Sequence, residues 1–207
     1  MIQSMGLPAE KHRCTVEEYL HLERDALERH EFHDGEVLSM AGGAYFHSLI
    51  NANVGGEVRN ALRGKPCRVL DSNLKVGIAS TRSFVYPDTT ILCGTPRFDP
   101  RDPSGQTVSN PRVVIEVLSP TTEAYDRGEK FNRYRELESF EEYILVSQSR
   151  PSIETFYRQP DGTWLFTPYS GLEAIAKIRS VGVDLLLSEV YGGVDFAAAQ
   201  SHETQTA

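Results

Sequence analysis

The chain has 207 residues and a mass of 23.1 kDa, a size that suits one domain with a substantial core. Hydrophobic residues make up 40% of it and charged residues 24%, which excludes a disordered or fibrous protein. The formal net charge of −8 counts against a basic module that binds nucleic acid tightly on its own. It is compatible with an enzyme whose metal ions offset an acidic cluster, or with one that a partner targets.

No apolar run approaches the ~18–20 residues that span a bilayer, so we expect no membrane partner. The first residues lack a basic region followed by an apolar stretch, so we expect no signal peptide. The three cysteines, Cys14, Cys67 and Cys93, lie far apart and are odd in number. They predict neither a disulfide framework nor a zinc site, which fits a reducing compartment, and we expect a cytoplasmic protein.

The chain shows no internal repeat and no interdomain linker. We expect residues 1–14 to form a polar lead-in, residues 15–196 one domain, and residues 197–207 a disordered tail. Thr15 and Glu18 have the spacing of a capping box and predict a helix over residues 15–29. Asp34-Gly35 is a strong signal for a hairpin between two short strands.

A break at Gly42-Gly43 precedes a second predicted helix over residues 45–63. The chain beyond it is mainly β-prone. Strands are predicted over residues 67–70, 74–78, 84–92, 112–118 and 143–146. Residues 93–111, rich in Pro, Asp, Gly and Ser, predict a long loop of the kind that is usually functional or mobile.

Three further elements are expected towards the end of the chain. A helix is predicted over residues 124–137, and a second hairpin turns around Pro160-Asp161-Gly162. Residues 183–191 are expected to form a short helix or strand.

Glu116 is the strongest anomaly in the sequence. It stands in the run Val-Val-Ile-Glu-Val-Leu, which is typical of a strand that is covered on both faces. An ionised carboxylate buried there needs a cation, a hydrogen-bond network or a proton, because its burial otherwise costs several kcal/mol. Pairing with an Arg or Lys and binding of a metal ion are the two alternatives.

Asp88 is a second carboxylate inside a β-prone run. It follows Pro87, and proline in a strand suggests an edge or a bulge, although most Pro-Asp pairs are simple turns. If the strands of Asp88 and Glu116 are neighbours, the two carboxylates converge. Converging carboxylates with open positions suit a hard ion such as Mg²⁺.

Several blocks of the chain, in this order and spacing, resemble the Uma-type restriction endonuclease family of the PD-(D/E)xK nuclease-like superfamily. The resemblance covers about residues 15–196. Its blocks are residues 31–36, His47, residues 86–92, residues 111–120, residues 126–130 and Tyr134.

The resemblance implies an α/β (α+β) protein with a restriction-endonuclease-like core, a mixed central sheet flanked by helices, and additional hairpins. It implies that Asp88 and Glu116 hold Mg²⁺ or Mn²⁺, that the metal activates a water, and that the substrate is DNA. The usual pattern has a lysine two residues after the second acid, on the same face of the strand. Leu118 occupies that position here, which is a departure from the short motif.

Lys130 is the candidate replacement for the missing strand lysine. It lies on the helix predicted after the Glu116 strand, from where its long side chain can reach the same cavity. The alternative is a surface ion pair with Asp126, which precedes it by one helical turn and would contribute about 0.2–0.5 kcal/mol.

Five further residues are weaker candidates. Glu31 would add a carboxylate to the metal or orient its water; otherwise it is a solvent-facing strand residue. His47, on the inward face of its helix, lines the cavity or is a hydrogen-bonded core histidine. Asp126, Ser119 and Tyr134 are expected to line the same cavity. The other histidines carry no pattern.

The leading hypothesis is therefore a Mg²⁺-dependent DNA endonuclease with Asp88, Glu116, Lys130 and Glu31 as catalytic residues. The alternative is a catalytically silent nuclease-like scaffold that binds nucleic acid or a partner protein, as Leu118 and the acidic balance suggest. A metal hydrolase with another substrate is a third option. A homodimer is plausible, because nuclease-fold enzymes that cut both strands often pair.

Overall fold

A computed structural model describes residues 13–40 and 44–197, and expectations for residues 1–12, 41–43 and 198–207 lie outside that range. The helices are α1 (Val16–Arg24), α2 (Tyr45–Ala61), α3 (Glu123–Tyr125), α4 (Phe131–Tyr134) and α5 (Leu187–Val190), with a π-helical turn (Asp126–Lys130) between α3 and α4. The strands are β1 (His30–His33), β2 (Glu36–Ser39), β3 (Cys67–Asp71), β4 (Lys75–Ile78), β5 (Ser83–Val85), β6 (Thr89–Cys93), β7 (Thr107–Val108), β8 (Val113–Leu118), β9 (Glu142–Ser147), β10 (Ser152–Arg158), β11 (Trp164–Ser170), β12 (Ile175–Ile178) and β13 (Val183–Leu186).

Two large sheets organise these strands. The six-stranded sheet has the order β11-β10-β9-β8-β6-β3 and is mixed, because β8 and β9 run parallel while its other pairs are antiparallel. The five-stranded sheet has the order β2-β1-β5-β4-β7, and β12 and β13 form a separate pair. This mixed α+β architecture matches the predicted fold class.

The local signals near the N-terminus are confirmed. Thr15 and Glu18 form both hydrogen bonds of a capping box at the start of α1. The hairpin turn has positive φ at Asp34 (46°) and Gly35 (95°), the left-handed geometry that a two-residue turn requires. Helix α1 ends at Arg24, earlier than predicted, where Asp25 caps it.

The predicted strand over residues 84–92 is wrong as a single element. The chain leaves β5 in one sheet and enters β6 in the other, with Tyr86, Pro87 and Asp88 between them. Pro87 has no N–H for a sheet ladder, so it suits this crossing point. The crossing leaves Asp88 at the very start of β6.

Strand β8 is covered on both faces, as predicted. Val113, Ile115 and Val117 pack with α2 on one side, in a core that also holds β12, β13 and α5. Val114 and Leu118 pack on the other side with α4 and with residues of β4. Leu118, at the expected lysine position, is thus a core residue.

Two expectations about elements need correction. The helix predicted over residues 124–137 is divided into α3, the π-helical turn and α4, and it ends at Tyr134. The loop over residues 93–111 contains β7, which pairs with β4 in parallel. Residues 183–191 form both predicted alternatives, since β13 is followed directly by α5.

Within the described residues, no helix is long and apolar enough to cross a membrane.

The expectation of no disulfide is also wrong. Cys67 and Cys93 are joined by a disulfide that links β3 to β6, where they are opposite each other in the ladder. The two residues are 26 positions apart in the chain, and their pairing depends on strand neighbours that sequence spacing does not show. Cys14 is free and partly buried.

Candidate active site

The register between β6 and β8 brings the two predicted acids together. Thr89 pairs with Ile115, so the antiparallel ladder continued by one residue places Asp88 opposite Glu116. The Asp88 N–H donates to Glu116 Oε2 at 3.1 Å, and the Val117 N–H donates to Asp88 Oδ2 at 2.8 Å. Glu116 is only 2% exposed, while the side chain of Asp88 is 17% exposed.

The π-helical turn brings Lys130 to the same place. Its Nζ lies 2.9 Å from Glu116 Oε1, 3.4 Å from Glu31 Oε1 and 3.6 Å from Asp126 Oδ1. Burial alone would lower the pKa of Lys130, but these three carboxylates outweigh it and raise the pKa well above its ordinary value. The group is therefore a buried ammonium, and the surface ion pair with Asp126 is not what the structure shows.

The carboxyl groups around Lys130 outnumber the single ammonium between them. Burial raises the pKa of Glu116 well above its ordinary value, and the charges of Asp88 and Asp126 add to it, whereas Lys130 offsets only part. Burial likewise raises the pKa of Asp126, with Asp88 contributing. A second cation near Asp88 and Glu116 would relieve this repulsion.

Glu31 is held differently from the other acids. Its Oε1 accepts the Tyr86 N–H at 3.1 Å and faces Lys130, while its Oε2 accepts the Tyr125 hydroxyl at 2.9 Å. Burial would raise the pKa of Glu31, but Lys130 and His33 outweigh it and lower the pKa to about 2. Glu31 is thus an ionised partner of Lys130, buried rather than solvent-facing.

His47 contacts Asp88, and Tyr134 contacts Glu116. His47 Nε2, on α2, lies 3.3 Å from Asp88 Oδ2. Burial would lower the pKa of His47, but the hydrogen bond to Asp88 and its charge outweigh this and raise it. The Tyr134 hydroxyl donates to Glu116 Oε1 at 3.2 Å and is fully buried. Both residues therefore hold the carboxylates in place.

Ser119 has a local role at the end of β8. Its hydroxyl contacts Thr122 Oγ1 at 2.9 Å and Thr121 Oγ1 at 3.1 Å, and its carbonyl accepts the Glu123 N–H. These bonds shape the turn that leads into α3, so its contacts are with that turn and not with the acids.

Sequence reasoning missed two neighbours of Glu31, and an arginine that contacts one of them. Tyr125 contacts it directly, His33 Nε2 lies 3.4 Å from Glu31 Oε2, and the Arg133 Nη1 donates to the Tyr125 hydroxyl at 3.3 Å. The period of two along β1 places His33 on the same face as Glu31 and could have indicated it. No sequence pattern indicated Tyr125 and Arg133, because the π-helical turn between them changes which residues of a helix share a face.

The donor set fits a weakly coordinated hard cation. No group of three or more His, Cys, Asp or Glu side chains within residues 13–40 and 44–197 has the arrangement of a complete metal site. Mg²⁺, however, is commonly bound through one or two carboxylates, with waters and substrate phosphate completing its shell. Asp88 and Glu116 supply two carboxyl groups, and Lys130 is shared with Glu31 and Asp126.

A mixed sheet flanked by helices, with Asp88 and Glu116 opposite each other on two neighbouring strands, has the restriction-endonuclease-like architecture that the resemblance predicts. The model of the Uma2 family, described as "Putative restriction endonuclease", matches residues 16–187. The chain belongs to the Uma2 family, as the resemblance of its motifs predicted.

Two relatives come from Synechocystis sp. (strain ATCC 27184 / PCC 6803 / Kazusa). Uncharacterized protein slr1290 is 36% identical over 185 residues, which are 89% of this chain and 94% of that protein. Uncharacterized protein sll1609 is 31% identical over 160 residues, 77% of this chain and 89% of that protein.

A solved structure shares the fold. It is the crystal structure of a "putative nuclease belonging to DUF820" from Anabaena variabilis ATCC 29413, with a TM-score of 0.67 and 14% sequence identity. The match covers 90% of this chain and 99% of that chain. The restriction-endonuclease-like fold is thereby confirmed.

Proposed function

We propose that this protein is a Mg²⁺- or Mn²⁺-dependent endonuclease that hydrolyses phosphodiester bonds of DNA. The observation that carries the proposal is the buried Lys130 ammonium, 2.9 Å from the Glu116 carboxylate. Lys130, on the π-helical turn, takes the place of the lysine that β8 lacks, since Leu118 occupies that position. Asp88 and Glu116 are the proposed metal ligands.

Each residue has a distinct task in this proposal. A bound divalent ion supplies positive charge at the phosphate and activates a water. Lys130 donates hydrogen bonds to the charge that develops on the phosphate oxygens, and it requires no reorganisation because Glu31 and Asp126 already hold it. His47 and the Val117 N–H orient Asp88, and Tyr134 orients Glu116.

Cleavage of double- and single-stranded DNA with Mg²⁺ or Mn²⁺ tests the proposal. We expect Asp88→Asn, Glu116→Gln and Lys130→Met each to lower the cleavage rate by about 10²–10³-fold, the loss typical of one removed charge-stabilising group. Lys177→Met is a matched control, because this exposed lysine pairs with Asp184 on the β12–β13 hairpin. Cleavage that survives Asp88→Asn and Glu116→Gln would place the site elsewhere.

A nuclease-like scaffold without catalysis is a second candidate, and one observation favours it. Both oxygens of Glu116 and the Oδ2 of Asp88 already accept hydrogen bonds from the protein, which partly satisfies the acids without a metal. Calorimetric titration with Mn²⁺ near neutral pH separates the two. Absence of binding, together with absence of cleavage, would favour the scaffold.

Three properties stay predictions at this level. A single domain over residues 15–196, a homodimer and a cytoplasmic location agree with the proposed enzyme. The disulfide between Cys67 and Cys93 lends no support to the location, because reducing compartments seldom keep such bonds.

A further inference from the structure

We propose that Tyr125 and His33 are positioning residues that fix the Glu31 carboxylate and, through it, the Lys130 ammonium. The inference rests on the proposed function, since it concerns how the proposed catalytic lysine is held. Neither residue contacts Asp88 or Glu116 in any hydrogen bond or ion pair of the described chain. They would therefore act through Glu31 and not as metal ligands.

The Tyr125 hydroxyl is the centre of this arrangement. It lies 2.9 Å from Glu31 Oε2 and 2.5 Å from His33 Nε2, and Arg133 Nη1 approaches it at 3.3 Å. His33 is 7% exposed and Tyr125 is partly buried. The low exposure of His33 limits the access of water to its contact with the Tyr125 hydroxyl and favours a defined geometry there.

The number of protons fixes the direction of each hydrogen bond. A carboxylate only accepts, so the single Tyr125 hydroxyl proton goes to Glu31. The hydroxyl oxygen then accepts from Arg133 and from an N–H on His33 Nε2. This places a proton on His33 Nε2, and the buried His33 Nδ1 has no hydrogen-bond partner among the residues that the structure describes.

Glu31 connects the Tyr125 hydroxyl to Lys130, because its two carboxylate oxygens face different groups. Oε2 is turned to Tyr125 and His33, whereas Oε1 accepts the Tyr86 N–H and contacts Lys130. Loss of the Tyr125 hydroxyl frees one oxygen and lets the carboxylate rotate. Lys130 then loses one of its fixed partners.

Steady-state cleavage by Tyr125→Phe, Glu31→Gln and the double variant tests the inference. Outer contacts of a catalytic site typically account for about 10–100-fold, so we expect kcat of Tyr125→Phe to fall about tenfold with KM unchanged within about twofold. The double variant should be no slower than Glu31→Gln alone. Tyr191→Phe is the matched control, since it removes a buried hydroxyl bonded to Ser147 O and Ser152 O, away from the acids.

A Tyr125→Phe loss that multiplies with that of Glu31→Gln would overturn the inference, and so would an unchanged kcat. Nitrogen-15 spectra give a second readout that needs no cleavage. His33 should show a proton on Nε2, and Tyr125→Phe should shift the Nζ resonance of Lys130. An unmoved Lys130 resonance contradicts the inference even in an active enzyme. Absence of cleavage by the unmodified protein, with the resonance shifted, would instead remove the proposed function and keep the positioning.

Discussion

Lys130 is the residue on which the candidate site depends. A buried ammonium is unfavourable unless charged partners surround it, and three carboxylates do so here. The dependence is mutual, because those acids are themselves buried and Lys130 is the ammonium that they share. Removing the ammonium should therefore cost more than one hydrogen bond.

We expect Lys130→Met to lower the free energy of unfolding by about 3–5 kcal/mol, the range for breaking a buried ion pair from one side. Urea unfolding at neutral pH in the presence of a chelator measures it. Lys177→Met, which removes an exposed lysine, should change the same quantity by less than about 0.5 kcal/mol. A Lys130→Met protein as stable as the Lys177→Met protein would show that the acids need no ammonium.

At the scale of elements, the signals that depend on a few neighbouring residues predicted the structure best. The capping box at Thr15 and the turn at Asp34-Gly35 depend on neighbouring residues, so sequence alone sufficed. Glu116 and Asp88 were found because a carboxylate in an apolar strand conflicts with its surroundings. The passage between sheets at Pro87, and the π-helical turn that aims Lys130, depend on packing that no local pattern encodes.

The long loop between β6 and β8 is anchored by Asp102, which is 4% exposed. Its carboxylate accepts hydrogen bonds from the Ser104 N–H at 3.1 Å and from the Ser104 and Thr107 hydroxyls, and Lys75 Nζ lies 3.3 Å away. Burial would raise the pKa of Asp102, but these hydrogen bonds and Lys75 lower it to about 2. The loop over residues 93–111, predicted to be functional or mobile, is thus attached to β4 through the contact between Asp102 and Lys75.

Because the folded protein lowers the pKa of Asp102, its contribution to stability is complete above the unfolded value of 3.8 and is lost as pH falls towards 2. A lowering of this size corresponds to about 2 kcal/mol. Asp102→Asn should lower the free energy of unfolding by that amount at pH 7, as measured by urea titration. The difference from the unmodified protein should shrink between pH 4 and pH 2. A difference that persists undiminished would assign the effect to packing and not to charge.

At the scale of the whole molecule, strand β6 separates the candidate site from the disulfide. Asp88 precedes its first residue, Thr89, and the disulfide lies at its last, Cys93, about 13 Å further along at ~3.3 Å per residue. The site and the cross-link thus lie at opposite ends of β6, with Ile91 of the core between them. Stability and activity should therefore respond separately to the cross-link.

Breaking the disulfide between Cys67 and Cys93 should destabilise the protein without lowering its rate of DNA cleavage. The bond closes a loop between residues that are 26 positions apart, which restricts the unfolded chain enough for about 3.5 kcal/mol of stabilisation. The Cys67→Ser, Cys93→Ser double variant should lose that amount in urea unfolding, and a reductant should have the same effect on the unmodified protein. Cys14→Ser, which changes the free cysteine, is the control and should respond to reductant like the unmodified protein. Because the bond is remote from Asp88, the rate of DNA cleavage per folded molecule should stay the same. A cleavage rate that falls when the disulfide is removed would mean that the two ends of β6 are coupled.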